Sequence, residues 1–109
     1  MNKYTAIGLL AAAADGARII VVSPHGRAVT DAVDEVHQLV PDLQWRRANG
    51  DARVKLPSGG SVRFLTRPQL RGHSADVVLV EDDRDMGSDF VRELHQVVRA
   101  SPAGEIVRY

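Results

Sequence analysis

The order of apolar patterns in this chain predicts an α/β domain, built on a small, mainly parallel sheet with an antiparallel hairpin inserted into it. Two continuous apolar runs, "RIIVVS" at 18–23 and "VVLV" at 77–80, have the length and β-branched composition of strands buried on both faces. Stretches with helical periodicity follow each of them, and strands alternating with helices make parallel sheets. The 109 residues match the usual size of one domain, so residues 1–109 are read as a single unit with one core.

Each element has its own local cause. "KYTAIGLLAAAADG" predicts a helix closing at Asp15-Gly16, where glycine suits the terminating turn; its apolar residues cover most of its surface, so it is expected to be well buried. The apolar segment Ala6 to Ala14 lacks the basic flank and cleavage context of a secretory leader, and no stretch is long enough to cross a bilayer. A strand follows from Arg18 to Ser23, stopped by Pro24. Val29, Val33, Val36 and Val40, with Ala32, form one apolar stripe on a helix ending at Pro41. Leu43 to Ala48 predicts a strand before the Asn49-Gly50 turn. "RVKLPSGGSVRFLT" then alternates on either side of Pro57-Ser58-Gly59-Gly60 and reads as a hairpin, with Val54 and Leu56 facing Val62 and Phe64. After the strand at Val77 to Val80, a helix from Ser88 to Ala100 is expected, capped by Ser88, with Phe90, Val91, Leu94, Val97 and Val98 inward. "GEIVRY" is the last strand.

Zero cysteines exclude disulfides and thiolate metal sites, which fits a reducing cytoplasm. Net charge is zero but segregated. Seven basic residues lie between Arg46 and Arg71 against Asp51 alone, and seven acids lie between Asp76 and Glu93 against Arg84 and Arg92. Arg46, Arg47, Arg53, Lys55 and Arg63 are therefore candidate nucleic-acid contacts, with Trp45 either stacking on a base or packing against the hairpin. Glu81, Asp82, Asp83 and Asp85 crowd like charge at a strand exit. That pattern suits a magnesium ion, the one candidate cofactor, or a solvated turn paired with Arg71 or Arg84. The four histidines are dispersed, and neither Ser23 nor Ser74 sits in a nucleophile motif, so no catalytic residue is assigned.

"ARIIVVSP", an amphipathic helix and then "GGSVRFLTRPQLRGHSADVVLVEDD" resemble the ATPase core of phage terminase large subunits and related helicase-like P-loop NTPases, from about Tyr4 onward. The resemblance implies a partial RecA-like, three-layer fold, with Val77 to Asp82 as a Walker B strand. Two departures weaken hydrolysis. The Walker B pair of that family is Asp then Glu, whereas Glu81 precedes Asp82 here. In place of G-x-x-x-x-G-K-[ST] the chain opens "MNKYTAIGLL", where Asn2-Lys3-Tyr4-Thr5 looks like the end of a truncated Walker A loop whose preceding strand is missing. The resembled sheet order, 5-1-4-3-2, would then survive as 4-3-2, with Arg18 to Ser23 as strand 2, Val77 to Glu81 as strand 3 and Glu105 to Tyr109 as strand 4. Strand 4 becomes an edge at Ile106 and Val107, where a homodimer is expected to form. The implied function is a non-hydrolytic, phage-derived module for protein binding or oligomerisation. The alternatives are a nucleic-acid-binding or terminase-modulating protein, and a metal-dependent phosphoryl-transfer enzyme or nuclease.

Overall fold

A computed structural model describes residues 1–48, 50–81, 87–102 and 104–109. Among them, α1 (Lys3–Ala14) leads to β1 (Arg18–Ser23), α2 (Gly26–Leu39), β2 (Gln44–Ala48), β3 (Asp51–Lys55) and β4 (Ser61–Thr66). A single 3-10 turn at Arg67–Gln69 precedes β5 (Val77–Val80), α3 (Ser88–Val98) and β6 (Glu105–Arg108). The strands form one sheet in the order β2-β3-β4-β1-β5-β6. β1 runs parallel to both β4 and β5, and β5 parallel to β6, while β3 is antiparallel to its neighbours β2 and β4. The adjacent trio β6-β5-β1 is the 4-3-2 order expected from the sequence.

Strand alternation sorts the apolar side chains into two cores. Ile19 and Val21 of β1 join Val54, Val62, Phe64 and Leu79 beneath α1 and α2. Ile20 and Val22 join Leu65, Val78 and Val80 beneath α3, which inserts Leu94, Val97 and Val98. The sheet is thus a middle layer. Trp45 packs on the first core: its ring stacks on Phe64 at 6.1 Å and its indole N–H donates to the Val40 carbonyl at 3.0 Å.

The inserted antiparallel hairpin is as expected, and its β4 pairs along the whole of β1, from Arg18 opposite Ser61 to Ser23 opposite Thr66. Two local expectations are corrected. α1 is not buried all round. It buries the stripe Ala6, Leu9 and Ala13 and leaves Tyr4 84% and Ile7 47% exposed, since a helix on the outer layer touches the sheet along one line only. Ser88 is the first residue of α3 and makes no side-chain cap; Gly87 holds the cap position. The terminating turn of α1 is as expected, with Gly16 at φ 99°. No helix among the described residues is long and apolar enough to cross a membrane.

Asp76 fastens the amino ends of the central strands. Its carboxylate accepts from the Arg18 N–H at 2.8 Å, its own N–H donates to the Arg18 carbonyl at 2.8 Å, and its carbonyl accepts from Glu105 N–H at 3.0 Å. The Arg18 N–H, against the opposing effect of burial and with support from Ser101 and the Arg18 charge, holds this carboxyl below its ordinary value. A lowered folded value means that the folded state binds fewer protons than the unfolded chain. The contribution is therefore complete above the unfolded value and lost as pH falls through the folded one. Asp76→Asn is expected to be less stable than the parent at neutral pH, with the gap closing below about pH 4, checked by urea titration across pH. A gap unchanged down to about pH 2 would show that the ionised carboxylate contributes nothing.

Candidate functional site

Three surfaces carry the residues that the sequence singled out. The first is the carboxyl end of the parallel strands. Glu81 directly follows β5, placed by its N–H bond to the Val22 carbonyl at 2.9 Å, and Tyr109 follows β6, placed by its N–H bond to the Val80 carbonyl at 3.1 Å. Extending the register by one residue puts Ser23, Glu81 and Tyr109 in a single row across β1, β5 and β6. Alternation points all three toward α1 and α2. Glu35 reaches the same place from α2, and the Met1 amino group, just ahead of α1, contacts Glu35 at 3.0 Å and Glu81 at 3.5 Å. Burial, followed by the charges of Glu81 and Glu35, pushes the Tyr109 phenol well above its ordinary value.

Asp82, Asp83 and Asp85 lie outside the described residues. Among the described ones no three carboxylates or histidines converge. Arg71 meets Glu93 on α3 at 3.7 Å.

The second surface is basic. Register places Arg46, Arg53 and Arg63 opposite one another across β2, β3 and β4, on the face away from α2, with Lys55 one row along. Like charges side by side repel. Asp51 relieves two of them, contacting Arg46 at 2.9 Å and Arg53 at 3.9 Å, while Arg63 lies 3.4 Å from the His73 ring. Burial first, then the Arg63 charge, lowers the His73 pKa, so that ring favours its neutral form. Arg47 does not belong to this group. The pleat turns it to the other face, where it pairs with Asp34 of α2.

The third surface is the open edge. Among the described residues β6 ends the sheet, with Ile106 and Val107 half-buried, and an apolar cleft of about 310 Å³ separates α1 from it. Thr5, Gly8 and Ala12 line one wall; Leu79, Glu105 and Val107 line the other.

No protein-family model and no curated protein matches the sequence. Solved structures do. One crystal form of the large terminase from a thermophilic bacteriophage superposes over 94% of this chain with a TM-score of 0.66 at 11% identity. A second crystal form of the same phage terminase covers 95% at TM-score 0.64 and 13% identity, and that terminase in complex with ADP covers 95% at TM-score 0.60 and 12% identity. The fold is therefore that of a terminase segment. The chain spans only 28% to 29% of the length of those proteins.

Proposed function

We propose that this chain is a terminase-like ATPase-fold module of phage derivation that acts by binding, in the first place to a second copy of itself, and not by hydrolysing ATP. The observation that supports this reading is the open edge of β6 beside an apolar cleft. An edge strand offers backbone donors and acceptors, and a two-fold axis perpendicular to the sheet makes such an edge complementary to its own copy in antiparallel pairing. That arrangement would join two sheets and set the two clefts on one continuous face. The non-hydrolytic part of the reading rests on chemistry: these 109 residues contain no glycine-rich run whose amides would surround phosphates, and Glu81 precedes Asp82 where the resembled pair runs Asp then Glu.

Sedimentation equilibrium over a wide concentration range tests it, run beside an ATPase assay. The expected result is reversible dimerisation, with magnesium-dependent turnover no higher than in a Glu81→Ala/Asp82→Ala control. A monomer at the highest concentration sinks the self-association, and turnover lost in the control restores the phosphoryl-transfer reading.

A second reading, nucleic-acid binding, is favoured by the row Arg46, Arg53 and Arg63 with Lys55 beside it. Asp51 shares its carboxylate between two of those arginines, which lowers the charge presented to phosphate. Binding to single-stranded DNA is expected to be weak and to fall steeply with added salt, as released counterions drive it. Fluorescence anisotropy against salt is the measurement. Submicromolar affinity at physiological salt, abolished by Arg46→Glu/Arg53→Glu/Arg63→Glu, would make nucleic acid the principal partner.

A further inference from the structure

We propose that Arg18, Ser61, Arg63, His73 and Ser74 form a site for a doubly charged phosphate, free or at the end of a chain, in a groove at the amino end of the sheet. The groove has a volume of about 300 Å³. Arg18 opens β1, so the site lies at the opposite end of the parallel strands from Glu81. Two neighbouring strands supply one wall. Register sets Arg18 opposite Ser61 and Ile20 opposite Arg63, and alternation turns Arg18, Ser61 and Arg63 to the same face as Ile20 and Leu65, which pack beneath α3. The connector between β4 and β5 supplies the other wall. Gly72, at φ 86°, makes the turn that brings His73 and Ser74 alongside the two arginines.

The lining supplies donors and no carboxylate. Arg18 Nη1 donates to Ser74 Oγ at 3.5 Å, which leaves the Ser74 proton for a ligand. Arg63 Nη1 lies 3.4 Å from His73 Nδ1; a guanidinium only donates, so Nδ1 accepts and Nε2 carries the ring proton. Two guanidiniums on adjacent strands repel, and an anion between them removes that cost. Asp76 touches Arg18 Nε at 3.8 Å without lining the groove, steadying the side chain while offsetting part of its charge. On β3, Lys55 stands opposite Ser61 and Arg53 opposite Arg63, extending a positive field that draws an anion in. A phosphate suits this set because its oxygens accept several bonds at once and it carries about two negative charges at neutral pH. Burial and the Arg63 charge lower the His73 pKa against the opposing charge of Asp51, and an arriving dianion, by opposing Arg63, raises it. This inference needs neither dimerisation nor nucleic-acid binding by the arginine row.

Histidine NMR reads the site directly, with His25, His37 and His95 as internal controls. Sodium phosphate, added at constant ionic strength and neutral pH, is expected to shift the His73 ring signals saturably in the millimolar range and to raise the pH at which that ring titrates. Sodium chloride should do neither. Arg18→Gln and Arg63→Gln should each weaken binding about tenfold, the effect of losing one charge-assisted donor. Equal shifts in every histidine, none at His73, or undiminished affinity in both folded variants would overturn the proposal. Should a variant fail to fold, the parent titration still decides, since saturation at His73 alone supports the site and its absence sinks it.

Competition then separates the two sources of such a phosphate. A short single strand of DNA bearing a terminal phosphate is compared with the same strand ending in a hydroxyl, each added against inorganic phosphate at His73. Displacement by the phosphorylated strand alone supports the site and assigns it to a strand end. Displacement by neither supports it as a site for the free ion. Equal displacement by both would overturn it, because the groove would then read the single charge of an internal phosphodiester and belong to the arginine row.

Discussion

Gly60→Ala is expected to destabilise the fold by about 3 kcal/mol or more, at the upper end of overpacking effects. A Cβ at this position would lie 1.9 Å from the Ala13 carbonyl oxygen, 2.8 Å from its carbon and 2.9 Å from the Ala17 carbonyl oxygen. All three are backbone atoms, so no rotamer change relieves the clash. Nor is the turn free to move away. Ser58 donates its hydroxyl to the Ala13 carbonyl at 2.7 Å and accepts from Gly60 N–H at 3.1 Å, Leu56 N–H bonds the Gly60 carbonyl at 2.9 Å, and Ser61 N–H bonds the Ala17 carbonyl at 3.1 Å. Urea denaturation measures the loss, and a fall in Tm of roughly 12 °C or more is its thermal counterpart for a domain of this size. Gly59→Ala is the control. Its φ of 90° imposes backbone strain, but its Cβ would meet nothing within 4 Å, so its cost is about 1 to 2 kcal/mol. If the two variants prove equal, close approach at Gly60 is not what holds the hairpin to α1.

Proline at two neighbouring positions of β6 is expected to have opposite consequences. Glu105 N–H bonds the Asp76 carbonyl and Tyr109 N–H the Val80 carbonyl, so alternation along a parallel strand sends the Val107 N–H inward to β5 and the Ile106 N–H outward to the open edge. Val107→Pro removes a bond of the sheet itself and should cost about 3 kcal/mol in urea denaturation. Ile106→Pro removes an outward donor and should leave stability within about 1 kcal/mol while preventing edge pairing. Sedimentation equilibrium then shows a folded monomer for Ile106→Pro. A folded Ile106→Pro dimer as tight as the parent would move the interface to another surface.

Much of this architecture was legible because burial on both faces leaves an unambiguous trace. "IIVV" and "VVLV" have no polar residue to suggest an exposed face, and the trio β6-β5-β1 followed from them. α1 misled because alanine and glycine are apolar enough to look interior yet small enough to remain outside; nothing in "TAIGLLAAAA" separates the inward Leu9 from the outward Ile7. The arginines show how far composition reaches. Their clustering was visible, but the separation of Arg47 from Arg46 depends on strand parity, and the restraining contact with Asp34 on knowing that α2 lies over that face. Glu35 was missed altogether. It sits beside the apolar Val36 of the α2 stripe, and a carboxylate flanking a buried stripe is the one local signal that could have raised it. Ser23 and Tyr109 could be aligned with Glu81 only once the register was known.

The central position of β1 fixes the order in which the protein can be assembled. This strand is completed by Ser23, yet one neighbour spans Ser61–Thr66 and the other Val77–Val80. A nascent chain that has emerged through α2 therefore displays a strand whose four middle residues are all apolar, with α1 and α2 available to cover one face and nothing to bond either side. Loop closure must precede any stabilising pairing, the condition that makes parallel sheets slow to form. During that interval "RIIVVS" is the segment most exposed to association with other unfinished chains, and the rate at which residues 61 to 80 arrive determines how long the exposure lasts.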